Sequence, residues 1–88
     1  MLAGKIIGSV VSTRKNDKLI GSKFMIIELL DHMNTPNNRL IAVDNIGAGM
    51  GEYVLVVLGS AARIACNMEG APIDAAIIGI IDDGTRLE

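Results

Sequence analysis

Asp44-Asn45-Ile46-Gly47-Ala48-Gly49-Met50-Gly51-Glu52-Tyr53-Val54-Leu55-Val56-Val57-Leu58-Gly59-Ser60-Ala61-Ala62-Arg63 is the stretch on which the fold turns. A glycine-rich turn feeds an apolar run, and the run feeds a second turn of small residues. Glycines alternating at 47, 49 and 51 permit positive φ and close backbone approach. Residues 53–58 are apolar without interruption, which predicts a strand buried on both faces. Gly59-Ser60 then offers an N-cap-like start to a short helix through Ala61, Ala62 and Arg63.

Working outward, 4–14 is rich in β-branched residues and predicts a first strand, with Gly8 as a bulge or bend. Residues 14–21 are polar, with Asn16-Asp17 and Gly21 as turn signals. A second strand is expected at 23–30, where Met, Glu and Leu also permit a helix but the flanking turns and short length favour a strand. Asn34-Thr35-Pro36-Asn37-Asn38 is a loop on its chemistry. A third strand follows at 39–43, a fourth at 52–58, one or two helical turns at 60–67, and a last strand at 74–82 with Gly79 as a candidate bend. The pattern is that of a single, mainly β domain over 1–88: a small five-stranded, OB-like β-barrel with one short helix between the last two strands. An OB-fold usually carries its helix between strands three and four, so the likeness is architectural.

A chain of 88 residues forms one domain and buries roughly 60–65% of its unfolded surface. Half of its residues are hydrophobic, yet only Phe24 and Tyr53 are aromatic. So much aliphatic surface exceeds what a small barrel hides within itself, which implies burial between subunits. The formal charge of −2 gives no field that points to nucleic acid or an anionic membrane. The longest apolar runs, 53–58 and 75–81, fall far short of the roughly 20 residues of a membrane helix. The single cysteine, Cys66, cannot staple the domain and fits a reducing cytoplasm.

No catalytic, cofactor or metal set emerges. Gly47-Ala48-Gly49-Met50-Gly51 lacks the spacing and the following helix of a dinucleotide fingerprint, and Glu52 stands where a phosphate loop needs lysine. His32 is the only histidine and has no companion ligands in sequence. Cys66 reads as a small apolar residue, and Ser60 has no visible base. Asp44, Glu52, Asp74, Asp82 and Asp83 border strands, where acids are usually turn-formers or solvated charges. Arg14, Lys15, Lys18 and Lys23 form a local basic patch, but two aromatics on different strands make a poor stacking platform for single-stranded nucleic acid.

The specific sequence carries further information. Gly8-Ser9-Val10-Val11-Ser12-Thr13-Arg14-Lys15, the run from Ala42 to Val56, Gly59-Ser60-Ala61-Ala62-Arg63, Pro72-Ile73-Asp74-Ala75 and Ile78-Gly79-Ile80-Ile81-Asp82 together resemble the EutN/CcmL family in order and spacing. These are the vertex proteins of bacterial microcompartment shells, carboxysomes included. The resemblance implies a structural protein, a homopentamer of barrels that plugs the five-fold corners of a cytoplasmic shell otherwise tiled by hexameric or pseudohexameric proteins. It places Gly59, Ser60, Ala61, Ala62 and Arg63 near the five-fold axis. It places Ile46, Gly47, Ala48, Gly49, Met50, Gly51, Glu52 and Asp74 at the subunit contact, with Arg63 paired to a carboxylate of its own or the next subunit, Asp74 or Glu52. No cofactor, metal, membrane or nucleic acid is implied. Many members carry a further strand or tail beyond the counterpart of Asp82-Asp83. Two other readings stay open on the residues: an OB-like module for single-stranded nucleic acid or a small anion, and an enzyme whose site forms only between subunits.

Overall fold

The computed structural model describes residues 1–11, 16–30 and 38–82. Its elements are β1 (Leu2–Val10), a 3-10 turn (Asp17–Leu19), β2 (Lys23–Leu29), β3 (Arg39–Asp44), β4 (Tyr53–Leu58), α1 (Ser60–Ala65) and β5 (Ala75–Ile81). The strands close into a barrel in the order β1-β2-β3-β5-β4, and β4 returns to β1. Every pairing is antiparallel except β3 with β5, which is parallel and restricted to Val43↔Ala76 and Asp44↔Ile77. The mainly β, five-stranded barrel with one helix before its last strand is the architecture expected. Residues 12–15, 83–88 and 31–37, which include His32 and most of the expected loop, lie outside the described residues.

Inward-facing side chains fill the barrel: Ile6 from β1, Met25 and Ile27 from β2, Ala42 from β3, Val54 and Val56 from β4, and Ile77 from β5. The spacing of two residues within β2 and within β4 is the strand period. β4 departs from expectation. Val54 and Val56 are buried, but Tyr53, Leu55 and Val57 on the opposite face are only half-buried and Leu58 is exposed. Its uninterrupted apolar run therefore fills one face of the protomer and leaves a second apolar face partly open.

Two β-bulges bend the barrel. The register of β1 on β2 skips Ile7, and that of β5 on β4 skips Ile78. The bends expected at Gly8 and Gly79 are therefore present, with the extra residue one place earlier in each. Gly4 answers a different need: a Cβ there would overlap Cγ2 of Ile27 and press on the Glu28 carbonyl. The β1–β2 pair closes tightly at that point only because the residue has no side chain.

The helix begins at Ser60, where the helical turns were expected, and ends at Ala65, two residues short of the expected 67. Gly59, at φ 66, is the N-cap, and Ser60 is already helical and makes no capping bond. Ala62 is fully buried, which anchors a helix too short to persist alone.

Candidate functional site

The loop after β3 is built on one carboxylate. Asp44 Oδ1 accepts the N–H groups of Ile46 (3.0 Å) and Gly47 (3.1 Å), and Oδ2 accepts that of Ala48 (2.9 Å). The side chain is 0% exposed, with Lys23 Nζ 3.9 Å away as its counter-charge. A buried carboxylate is tolerable because hydrogen bonds and a nearby cation replace the water it has lost. The loop then folds across one mouth of the barrel. Ala48 inserts its methyl group into the core, and Gly51 N–H donates to the Ile6 carbonyl (2.9 Å) while Ile6 N–H donates to that of Glu52 (3.0 Å). Gly47 and Gly51 supply the positive φ values, 85 and 79, that this path demands. Gly49 N–H donates to the Glu52 carboxylate.

This geometry explains why the glycine-rich loop is not a phosphate cradle. A phosphate loop points free N–H groups at an anion; here the donors at 46, 47, 48 and 49 are taken by the chain's own Asp44 and Glu52. Asp44 is the organising residue of the loop and was legible only as a turn-former at a strand end.

Among the residues expected at the subunit contact, Ile46, Gly47, Met50 and Gly51 are exposed, Asp74 is exposed, and Gly49 and Glu52 are half-buried. Ala48 is the exception: its methyl group lies inside the barrel and is not free to touch a neighbour. At the other turn, Gly59, Ser60 and Ala61 are exposed on the protomer. Ala62, also expected near an axis, is buried against its own barrel and supports that turn from within.

Within the protomer, Arg63 does not meet Asp74 or Glu52. Its Nη1 donates to the carbonyl of Ile73 (2.9 Å), tying α1 to the segment that leads into β5. Gly59 N–H donates to the Asp74 carbonyl (2.8 Å), so the turn before the helix and the start of β5 are clamped at two points. The basic patch is partly spent in the same way: Lys18 Nζ donates to the Gly70 carbonyl (3.1 Å), and Lys23 neighbours Asp44. Arg14 and Lys15 lie outside the described residues. Tyr53 has Lys5 Nζ 5.8 Å from its ring centre, and Phe24 is half-buried on β2, so the two aromatics form no common platform. Burial, and next the negative charge of Asp44, push the Cys66 thiol above its ordinary pKa, the opposite of what an activated nucleophile requires. No cluster of His, Cys, Asp and Glu fit to hold a metal occurs among the described residues.

What the surface does offer is apolar. Met50 (62% exposed) and Ile46 stand on the loop, Leu58 ends β4, Ile64 (66%) stands on α1, and Ile41 (53%) stands on β3. Exposed aliphatic groups in this number on so small a domain mark contact surfaces. A plugged barrel whose surface is rich in aliphatic groups defines a small β-barrel assembly subunit.

The chain belongs to the family described as ethanolamine utilisation protein EutN/carboxysome, whose model matches residues 1–82. It is 42% identical over 83 residues to the carboxysome shell vertex protein CcmL of Gloeobacter violaceus, covering 93% of this chain and 83% of the relative. The solved structure of that protein superposes with a TM-score of 0.84 over 93% of this chain and 86% of the other. GrpN, a pentameric microcompartment shell protein of Rhodospirillum rubrum, is 43% identical in its solved structure, with a TM-score of 0.80 over 94% of this chain and 95% of that one. The microcompartment shell vertex protein EutN of Escherichia coli is 40% identical over 79 residues, 89% of this chain and 83% of the relative.

Proposed function

We propose that this chain is a structural shell protein that assembles into pentamers and caps the five-fold vertices of a bacterial microcompartment in the cytoplasm. One observation carries the reading: the match to vertex proteins runs through the whole described barrel, and a solved relative at 43% identity is itself pentameric. The protomer supplies the physical motive. A closed ring of five repeats one heterologous contact, so each subunit needs two unlike faces. The half-open outer face of β4 and the exposed groups on the loop and helix offer apolar surface for both.

In this arrangement Gly59, Ser60 and Ala61 approach the five-fold axis, where small residues let five backbones converge. Ala62 and Arg63 hold that turn from behind. Ile46, Gly47, Gly49, Met50, Gly51, Glu52 and Asp74 serve the subunit contact, with Ala48 as the inward peg that fixes the loop. Hexameric or pseudohexameric shell proteins surround the pentamer, whose curvature closes an otherwise flat sheet. The role is mechanical rather than catalytic, and it calls for no cofactor, metal or nucleic acid.

Native mass spectrometry at low micromolar concentration tests the proposal. A dominant five-copy species is expected; a protein that stays a monomer or dimer would sink the vertex reading.

A further inference from the structure

Two joints of unequal strength close the barrel. β1, β2 and β3 form one three-stranded half, and β4, α1 and β5 form the other. On one side β1 meets β4 in an unbroken run from Leu2↔Val56 to Lys5↔Tyr53. The Gly51 N–H bond to the Ile6 carbonyl and the Ile6 N–H bond to the Glu52 carbonyl extend that run. On the other side, among the described residues, β3 meets β5 only at Val43↔Ala76 and Asp44↔Ile77.

The connector between β1 and β2 reaches across the narrow joint. Residues 16–22 fold on themselves: Asn16 Oδ1 accepts the Lys18 N–H (2.9 Å), Leu19 N–H donates to the Asn16 carbonyl (2.9 Å), and Ser22 N–H donates to the Leu19 carbonyl (3.0 Å). From this turn three side chains meet the segment that leads into β5. Lys18 Nζ donates to the Gly70 carbonyl (3.1 Å), and Ser22 Oγ lies 4.0 Å from Met68 Sδ. Leu19 faces residues 72–75 across an apolar depression of about 130 Å³, whose floor is Phe24, Ile41 and Val43. The segment itself belongs to the second half, because Arg63 Nη1 and Gly59 N–H hold the carbonyls of Ile73 and Asp74.

We infer that residues 16–22 are a clasp: they hold the two halves together across the β3–β5 joint, and their release is the first opening this barrel undergoes. Proteins open locally where apolar contact is sparse and the hydrogen bonds are few and solvated. The clasp has that character. Lys18 is exposed, Leu19 is half-buried over an unfilled depression, and a thioether is a weak acceptor for Ser22. Once it is released, segment 66–74 and the start of β5 part from β3 together with α1, while the longer β1–β4 joint serves as the hinge. The clasp acts within one protomer and is independent of the pentamer proposed above.

Residue-resolved amide exchange, compared at matched oligomeric state, tests the clasp. Leu19→Ser is expected to speed exchange about tenfold on both sides of the joint, at 71–77 and at Val43 and Asp44, through lost apolar contact. Lys18→Met keeps the aliphatic stem and is expected to speed the same amides about twofold. Amides at 2–5 and 26–29 should keep their wild-type rates in both variants. Unchanged rates at 71–77, 43 and 44 overturn the clasp. So does acceleration confined to 71–74, which would make the connector a surface turn with no hold on the joint. Rates that rise alike in every strand overturn it as well, since the barrel would then open only as a whole. Should Leu19→Ser fail to fold, Lys18→Met decides by the same comparison.

Discussion

Asp44 shows how much one side chain decides here. Its carboxylate replaces a strand partner for three successive loop N–H groups, and those groups have no other acceptor in the loop. Asp44→Ala is expected to cost about 3 kcal/mol, since it strands the buried Ala48 N–H and two partly buried ones and leaves Lys23 without its neighbour. Asn at 44 keeps one acceptor oxygen and is expected to cost less. Denaturant melts at fixed protomer concentration measure both, because assembly adds to apparent stability. Gly4→Ala should cost about 1–3 kcal/mol through the overlap with Ile27. Gly79→Ala is its control: the new Cβ would lie 3.5 Å from Leu55 Cδ1, an ordinary contact, so the protomer should tolerate it. Cys66 makes a prediction about pH. Its folded thiol titrates above the unfolded one because burial and Asp44 disfavour the thiolate. The stabilisation this group gives is full below the ordinary thiol pKa and is lost as pH rises through the folded value. Alkylation by iodoacetamide at pH 8 should accordingly be slower in the folded protein than in the denatured chain.

At the level of elements, strand count, order along the chain and the position of the helix were legible because turn chemistry separates short aliphatic runs. The glycines at 8 and 79 also announced the bends, although the bulged residues are Ile7 and Ile78. Burial on each face was not legible. An unbroken apolar run such as 53–58 reads the same whether its second face meets its own chain or another, and only the fold shows that Tyr53, Leu55 and Val57 remain partly open. Pairings distant in sequence were equally hidden. Within the protomer Arg63 donates to the carbonyl of Ile73 rather than to a carboxylate. This bond and the Gly59–Asp74 bond attach α1 to the approach to β5. Arg63→Met, which keeps most of the aliphatic bulk, should cost about 1 kcal/mol. It should raise amide exchange in residues 66–74 before it affects the barrel strands.

At the scale of the molecule, the surface should report on assembly and the interior on folding. Ala61 is exposed on the protomer, so Ala61→Trp is expected to leave the barrel's melting intact while abolishing the five-copy species in native mass spectrometry. A pentamer that survives Ala61→Trp would move the helix turn away from the axis. Gly49 is a less clean probe, because a Cβ there would press on the Glu52 carboxylate at 3.2 Å and disturb the loop itself. The strand order has one more consequence, and it concerns biosynthesis. β5 follows the other four described strands in the chain, yet it lies between β3 and β4 in the barrel. The edges of β3 and β4 that β5 bridges therefore lack that partner until residue 81 has emerged from the ribosome. The barrel therefore seals only with its last strand, as a slow, non-local step that leaves adhesive margins exposed meanwhile. A nascent chain arrested before β5 should be a target for chaperones, and no ring can begin to form from chains whose synthesis is unfinished.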